Sequence, residues 1–316
     1  MPNFVLSSTF VGTGIRANMA GDTDAYTLVL PGVTAGTTNG TAVTGFGIGQ
    51  SVTVLGTLWT HEFQTVSLSG ERARVHVAEG GAIINASGTF WQAIVLSGQD
   101  QRVTNHGEIT GGNGIWIASG VANASIENRG LLAATGEGNV SLGPAAGVRV
   151  YANNTLDGRL DISNTGTIAG AVTGAAVPEF AGRKFAIHVT GPSSNRETVI
   201  TNTGTLDGEV FLSTGADLLV SSGTINGRVT MGSGNDAVFN SGTILGDVDL
   251  GHHSNLLENT GLIAGGILTG TTGPNTLRNL GGTIGGDIAL GSIANYLHTL
   301  VNSGSIGGAV ALSESG

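Results

Sequence analysis

Residues 220–251 read VSSGTINGRVTMGSGNDAVFNSGTILGDVDLG. Within them, Ser222-Gly223-Thr224-Ile225-Asn226-Gly227-Arg228-Val229 returns as Ser241-Gly242-Thr243-Ile244-Leu245-Gly246-Asp247-Val248, a step of 19 residues. That is too few for a helical repeat, which runs to about 33 residues or more. It suits three short strands and three bends. Inside each strand apolar residues alternate with polar ones, as a half-buried strand requires.

The copies line up in columns. Ile225, Ile244, Ile263, Ile284 and Ile306 form one, and Val229, Val248, Ile267, Ile288 and Val310 another. Met231, Leu250, Thr269, Leu290 and Leu312 form a third. A further strand supplies Leu219, Val238, Leu257, Leu277 and either Leu297 or Leu300. Glycines mark two bends: Gly227, Gly246, Gly265 and Gly286 at one, Gly232, Gly251, Gly270 and Gly291 at the other. A need for positive φ is the expected reason. The economical fold is a coil whose strands each pair in parallel with their counterparts one unit on, about 4.8 Å away. Stacked coils then bury an apolar column that one coil cannot bury alone.

A polar column follows the last strand: Asn202, Ser221, Asn240, Asn259, Asn279 and Asn302. Upstream the same signature appears at Asn85, Asn105, Asn128 and Asn164, with steps to Asn202 of 20, 23, 36 and 38 residues. Exposed turn residues are the plainer reading. An apolar residue two before and a glycine two after favour a strand-to-bend corner, with the amides stacked into an internal ladder. A second upstream signature is small–apolar–x–apolar: Ala93–Leu96, Gly114–Ile117, Gly147–Val150 and Ala186–Val189. The two long steps carry their extra chain, 131–146 and 169–184, between these two signatures. Equivalent positions stack, so both insertions are expected to project from one edge, where repeat proteins often bind.

The chain therefore divides into residues 1–50, read as an N-terminal cap with the first strands, 51–210, irregular coils with side loops, and 211–316, regular coils of about 19–20 residues. VALSESG at the end stops almost in register, which leaves an edge to continue or to pair with another chain.

Composition narrows the class. The 316 residues include 55 glycines and no cysteine, and only 11% are charged. That excludes disulfides and thiol chemistry, while the apolar content suffices for a core. A net charge of −10 argues against nucleic acid or an anionic membrane as partner. No apolar run is long enough to enter a membrane. MPNFVLSSTFVGTG lacks a basic segment followed by an apolar one. A removed leader, another export route and an internal location stay open.

NSGTILGDVDLG and GSGNDAVFNSGTI resemble the repeats in the passenger regions of bacterial autotransporters and related secreted adhesins, and the likeness extends over about residues 80–312. The resemblance implies an all-β, right-handed parallel β-helix (β-solenoid), secreted or displayed on the outer cell surface of a bacterium. It implies partners that are host or bacterial surface proteins or glycans. Neither a leader nor a membrane barrel accompanies the repeats in this sequence, so the likeness is partial.

Chemistry is sparse, and a structural and adhesive role without enzymatic activity or cofactor is expected. GSGNDAVF is similar to a calcium-binding repeat turn, with Asp217, Asp236, Asn255, Asn275 and Asn295 aligned. Only two of the five are acidic, so a locally hydrogen-bonded turn is the plainer reading and Asp217 and Asp236 remain weak calcium candidates. His252 and His253, adjacent in a bend, point opposite ways and make a poor chelating pair. Binding residues are expected at the side-loop edge: Glu179, Phe180, Arg183 and Lys184 on the second loop, with Arg149 and His188 on adjoining strands. Trp116 alternates with Ile115 and Ile117, and faces out if they face in. Two alternatives stand beside adhesion. One is a fibre subunit stacking end to end through the solenoid ends. The other is a polysaccharide-binding or polysaccharide-cleaving β-helix, of the lyase or tailspike kind, using the side-loop charges.

Overall fold

The structure, a computed structural model, describes residues 3–118, 121–139, 143–151, 158–191, 196–292 and 296–314. The chain winds through thirteen coils, each giving one strand to each of three parallel sheets, A, B and C in chain order. Each strand pairs with the strand three further along, the parallel stacking that the repeat requires. At about 4.8 Å per coil the rod is about 60 Å long. The only helical segment among the described residues is one 3-10 turn, Pro178–Phe180.

The register reproduces the columns. On sheet A, Val75, Val103, Ile126, Ile162, Ile200, Leu219, Val238, Leu257, Leu277 and Leu300 stack in one line, so Leu300 and not Leu297 is the partner of Leu277. With the isoleucine column on sheet B and the valine–isoleucine column on sheet C they form one continuous apolar core.

Coil length varies more than the repeat implied. From Val199 to Leu218, Ala237 and Leu256 each step is 19 residues, and the next, to Thr276, is 20. The first three steps, Asn3 to Tyr26, Ser51 and Arg74, are 23, 25 and 23. On sheet B the strands of these first coils have four to six residues, against two in the regular coils. Residues 3–45, within the segment read as an N-terminal cap with the first strands, form coils 1 and 2, in register with all that follows.

The glycine bends have a different cause from the expected one. Of the eight aligned glycines only Gly232 and Gly251 have positive φ. At Gly246 an added Cβ would lie 2.6 Å from the Arg228 nitrogen of the coil before. Close approach of coils, not backbone conformation, keeps most of these positions free of side chains.

The asparagine column is an internal ladder. Asn105 Nδ2 donates to Asn128 Oδ1, Asn128 to Asn164 and Asn164 to Asn202, each at 2.8 Å. The same bond recurs from Asn240 to Asn259 and from Asn279 to Asn302 at 2.8 Å, and from Asn259 to Asn279 at 2.9 Å. Each amide also donates to turn carbonyls, as Asn128 does to Thr167 O at 3.0 Å. Buried amides are thus satisfied by one another and by the corner they cap. Asn85 does not belong to this column. It sits on sheet B beside Thr60, and Val77 occupies its place below Asn105.

Candidate functional site

A second polar column runs inside the corner between sheets C and A. Thr198 N–H donates to Asp217 Oδ1 at 2.7 Å, Asp217 N–H to Asp236 Oδ1 at 2.8 Å and Asp236 N–H to Asn255 Oδ1 at 2.9 Å. Asn255 N–H donates to Asn275 Oδ1, and Asn275 N–H to His298 Nδ1. His298 therefore continues the column; Asn295, which spacing placed there, lies outside the described residues. The aspartates are buried rungs bonded from coil to coil, not a turn closed by its own local hydrogen bonds. Gln50, Gln101 and Asn255 each aim a side-chain NH₂ at three carbonyls of the turn around them. Asp217 and Asp236 bring a carboxyl to the equivalent position, and their Oδ2 atoms have no partner. Burial pushes the Asp217 carboxyl up to about 8 and the Asp236 carboxyl up to about 7. Among the described residues no three His, Asp or Glu side chains gather to hold a metal ion.

The side-loop edge is the other built-up region. Both insertions connect sheet B to sheet C, the first after Leu131–Ala134 in coil 6 and the second after Thr167–Ala169 in coil 7. Residues 131–134 are therefore sheet, and the first loop begins at 135; its residues 140–142 lie outside the described ones. The loops touch, with Gly174 N–H donating to Glu137 O at 2.8 Å. The second loop doubles back through Thr173 N–H to Arg183 O at 2.8 Å and an antiparallel bridge between Val172 and Lys184.

Beneath them lies one outward column of sheet C. Trp116 pairs with Arg149, Arg149 with His188 and His188 with Phe211 in successive coils. Ile115 and Ile117 are buried in the core, so Trp116 does face out. The His188 ring stacks on Phe211 at 5.1 Å and meets Phe180 and Phe185 edge-on at 5.4 and 4.9 Å. Arg183 lies over the Phe185 ring at 4.8 Å while its guanidinium forks onto the Glu209 carboxylate. Lys184 Nζ bonds Asp207 Oδ2 at 2.5 Å, which holds that carboxyl below its usual range. Glu179, at the loop tip, is exposed. The expected residues thus share one edge with unequal roles. Phe180, Arg183 and Lys184 fasten the loop, Arg149 and His188 lie under it, and Glu179 faces solvent.

One surface was not foreseen. Arg72, Arg74, Arg102 and Arg159 line an open groove of about 440 Å³ on the outer face of sheet A, beside Asp100 and Asp161. Arg74 and Arg102 are direct cross-strand neighbours. Their spacing of 28 residues follows no regular step, so only the register brings them together. No family model, curated protein or solved structure matches the chain.

Proposed function

We propose that the protein is a non-enzymatic contact protein of the secreted or surface-displayed kind, in which a β-solenoid rod presents the side-loop face to a surface protein or glycan. The observation that carries this reading is the stacking of two insertions at the same corner of consecutive coils. They build one raised face at one edge of the rod. Insertions in a repeat array are free to vary at that edge without disturbing the core. The arginine groove offers a second surface suited to acidic glycan, in a chain with only 12 basic residues. A partial likeness to autotransporter passengers supports secretion.

A cleavage reading draws less support. Arg183 and Lys184 are committed to ion pairs, and His188 is buried among phenylalanine rings. The test replaces residues 170–184 with the three-residue corner Asn226–Arg228 of a regular coil. The shortened rod is expected to fold, to stay in the same cell fraction and to lose binding to cells or to a glycan and protein array. Unchanged binding would sink the reading; filaments growing from either protein would favour the fibre alternative.

A further inference from the structure

Arg149 is a buried cation without an anion. Its residue is 3% exposed, and among the described residues no carboxylate pairs with it. Nη1 donates to Pro144 O at 2.7 Å, while Nε is buried and bonded to nothing. Burial lowers its pKa to about 10, with Tyr151 the only opposing influence. Of the acids at the loop edge, Glu209 is held by Arg183 and Asp207 by Lys184, while Glu137 and Glu179 are exposed on the loops and paired with no cation among the described residues. An unpaired buried guanidinium is among the most unfavourable arrangements a fold can contain, unless something supplies the counter-charge.

The neighbours in the column have the matching deficiency. Trp116, one coil before, has a buried Nε1–H with no acceptor. His188, one coil after, has neither ring nitrogen bonded. Burial, then Arg149 and Arg183, hold that imidazole well below its ordinary range, so it is neutral and carries one N–H. Three adjacent rungs therefore present an indole N–H, a guanidinium and an imidazole. Among the described residues the chain acceptor between them is Pro144 O, taken by Arg149 Nη1, which leaves Trp116 Nε1, Arg149 Nε and both His188 nitrogens unbonded. Loop residues close the site, since the Arg149 guanidinium lies against Gly143, where an added Cβ would meet Nη2 at 2.7 Å.

We propose that Arg149, flanked by Trp116 and His188 and covered by Gly143 and Pro144, is the centre of an oxyanion-binding site, which takes a carboxylate. A planar carboxylate matches the guanidinium fork, and the Trp116 ring in the adjoining rung suits one carried on a ring, as in an acidic sugar. The proposal rests on the reading of this face as the binding face and names the group it holds.

The test is thermal unfolding of the full chain at constant ionic strength, titrated with acetate, with glucuronate and with chloride as reference, alongside Arg149→Met. The midpoint is expected to rise saturably with carboxylate in the wild type and to lose that dependence in Arg149→Met. Saturation by acetate and glucuronate alike assigns recognition to the carboxylate itself. Saturation by glucuronate alone assigns it to an acidic sugar. If Arg149→Met does not fold, the Trp116 indole N–H resonance, identified with Trp116→Phe, is followed in the wild type and should shift saturably. Equal behaviour in all three salts, with no movement of that resonance, overturns the proposal and leaves Arg149 hydrated. Array binding is independent of this outcome: carboxylate binding without array binding rejects the contact function alone, and the reverse rejects the anion site alone.

Discussion

Asn202 donates its side-chain N–H to Ser221 Oγ at 3.2 Å, and there the asparagine ladder breaks. Asn240 Oδ1, in the next coil, is buried and receives no donor. Every other coil from Asn105 to Asn302 places an amide at this position, so the corner accommodates one. Ser221→Asn is expected to join the two halves of the ladder and to stabilise the protein by about 1 kcal/mol. Urea unfolding would show a higher midpoint at unchanged slope; a lower midpoint would mean that the serine relieves crowding.

The converse change separates ladder from turn. Asn164→Ala removes the acceptor of Asn128 and the donor to Asn202, leaving two buried amides short of a partner. The expected cost is about 2–4 kcal/mol. Asn302, at the exposed end of the ladder, should lose less than about 1 kcal/mol on the same substitution. Equal losses at the two positions would reduce the column to ordinary turn residues.

Architecture was legible because a coil must bury the same columns each time, and that constraint writes itself at a fixed step wherever strands and bends keep their length. It failed where length changed. Asn85 shares the corner signature of Asn105, yet a 28-residue coil puts the two on different sheets. The side-loop edge was legible in the same way, as extra chain between two signatures. What lies under the loops was only partly so. Alternation placed Trp116 outward, and the small–apolar–x–apolar signature sets Arg149 and His188 at the same position of successive coils, but nothing local announces that the two are buried there. The aspartate column was aligned as far as Asn275 but read as a locally hydrogen-bonded turn, because Asp and Asn favour turns and buried rungs alike, and the bonds in fact run from coil to coil.

Those aspartates give the rod a pH dependence with a definite sign. An acid whose folded pKa is raised above its unfolded value of 3.8 keeps its proton in the folded state while the unfolded chain releases it. The stability is fully present below about pH 4 and is lost as pH rises through about 7 for Asp236 and about 8 for Asp217. At ~1.4 kcal/mol per unit, the loss by pH 9 is on the order of 5 kcal/mol for Asp217. Asp217→Asn and Asp236→Asn supply the NH₂ that Asn255 carries at this corner. Each is expected to leave stability at pH 4 little changed and to raise it at pH 9. Chemical denaturation at both pH values checks this, and a wild-type stability that is flat between pH 6 and 9 would refute it.

The glycines at the corner after sheet A should be sensitive to any added side chain. A Cβ on Gly242 would lie 2.1 Å from the Gly223 carbonyl oxygen of the coil before, and one on Gly261 would lie 2.2 Å from Gly242 O. Those neighbours are backbone and already hydrogen-bonded, Gly223 O accepting from Thr243 N–H at 2.9 Å, so they cannot swing aside. Gly242→Ala must push two coils apart. Because each coil contacts only its neighbours, the damage is confined to one interface. The expected result is a loss of at least about 3 kcal/mol and a single unfolding transition split into two. Hydrogen exchange would then show coils 1–8 still protected at a denaturant concentration that opens the coils beyond Gly242. Uniform loss of protection along the rod would mean that the thirteen coils behave as one cooperative unit.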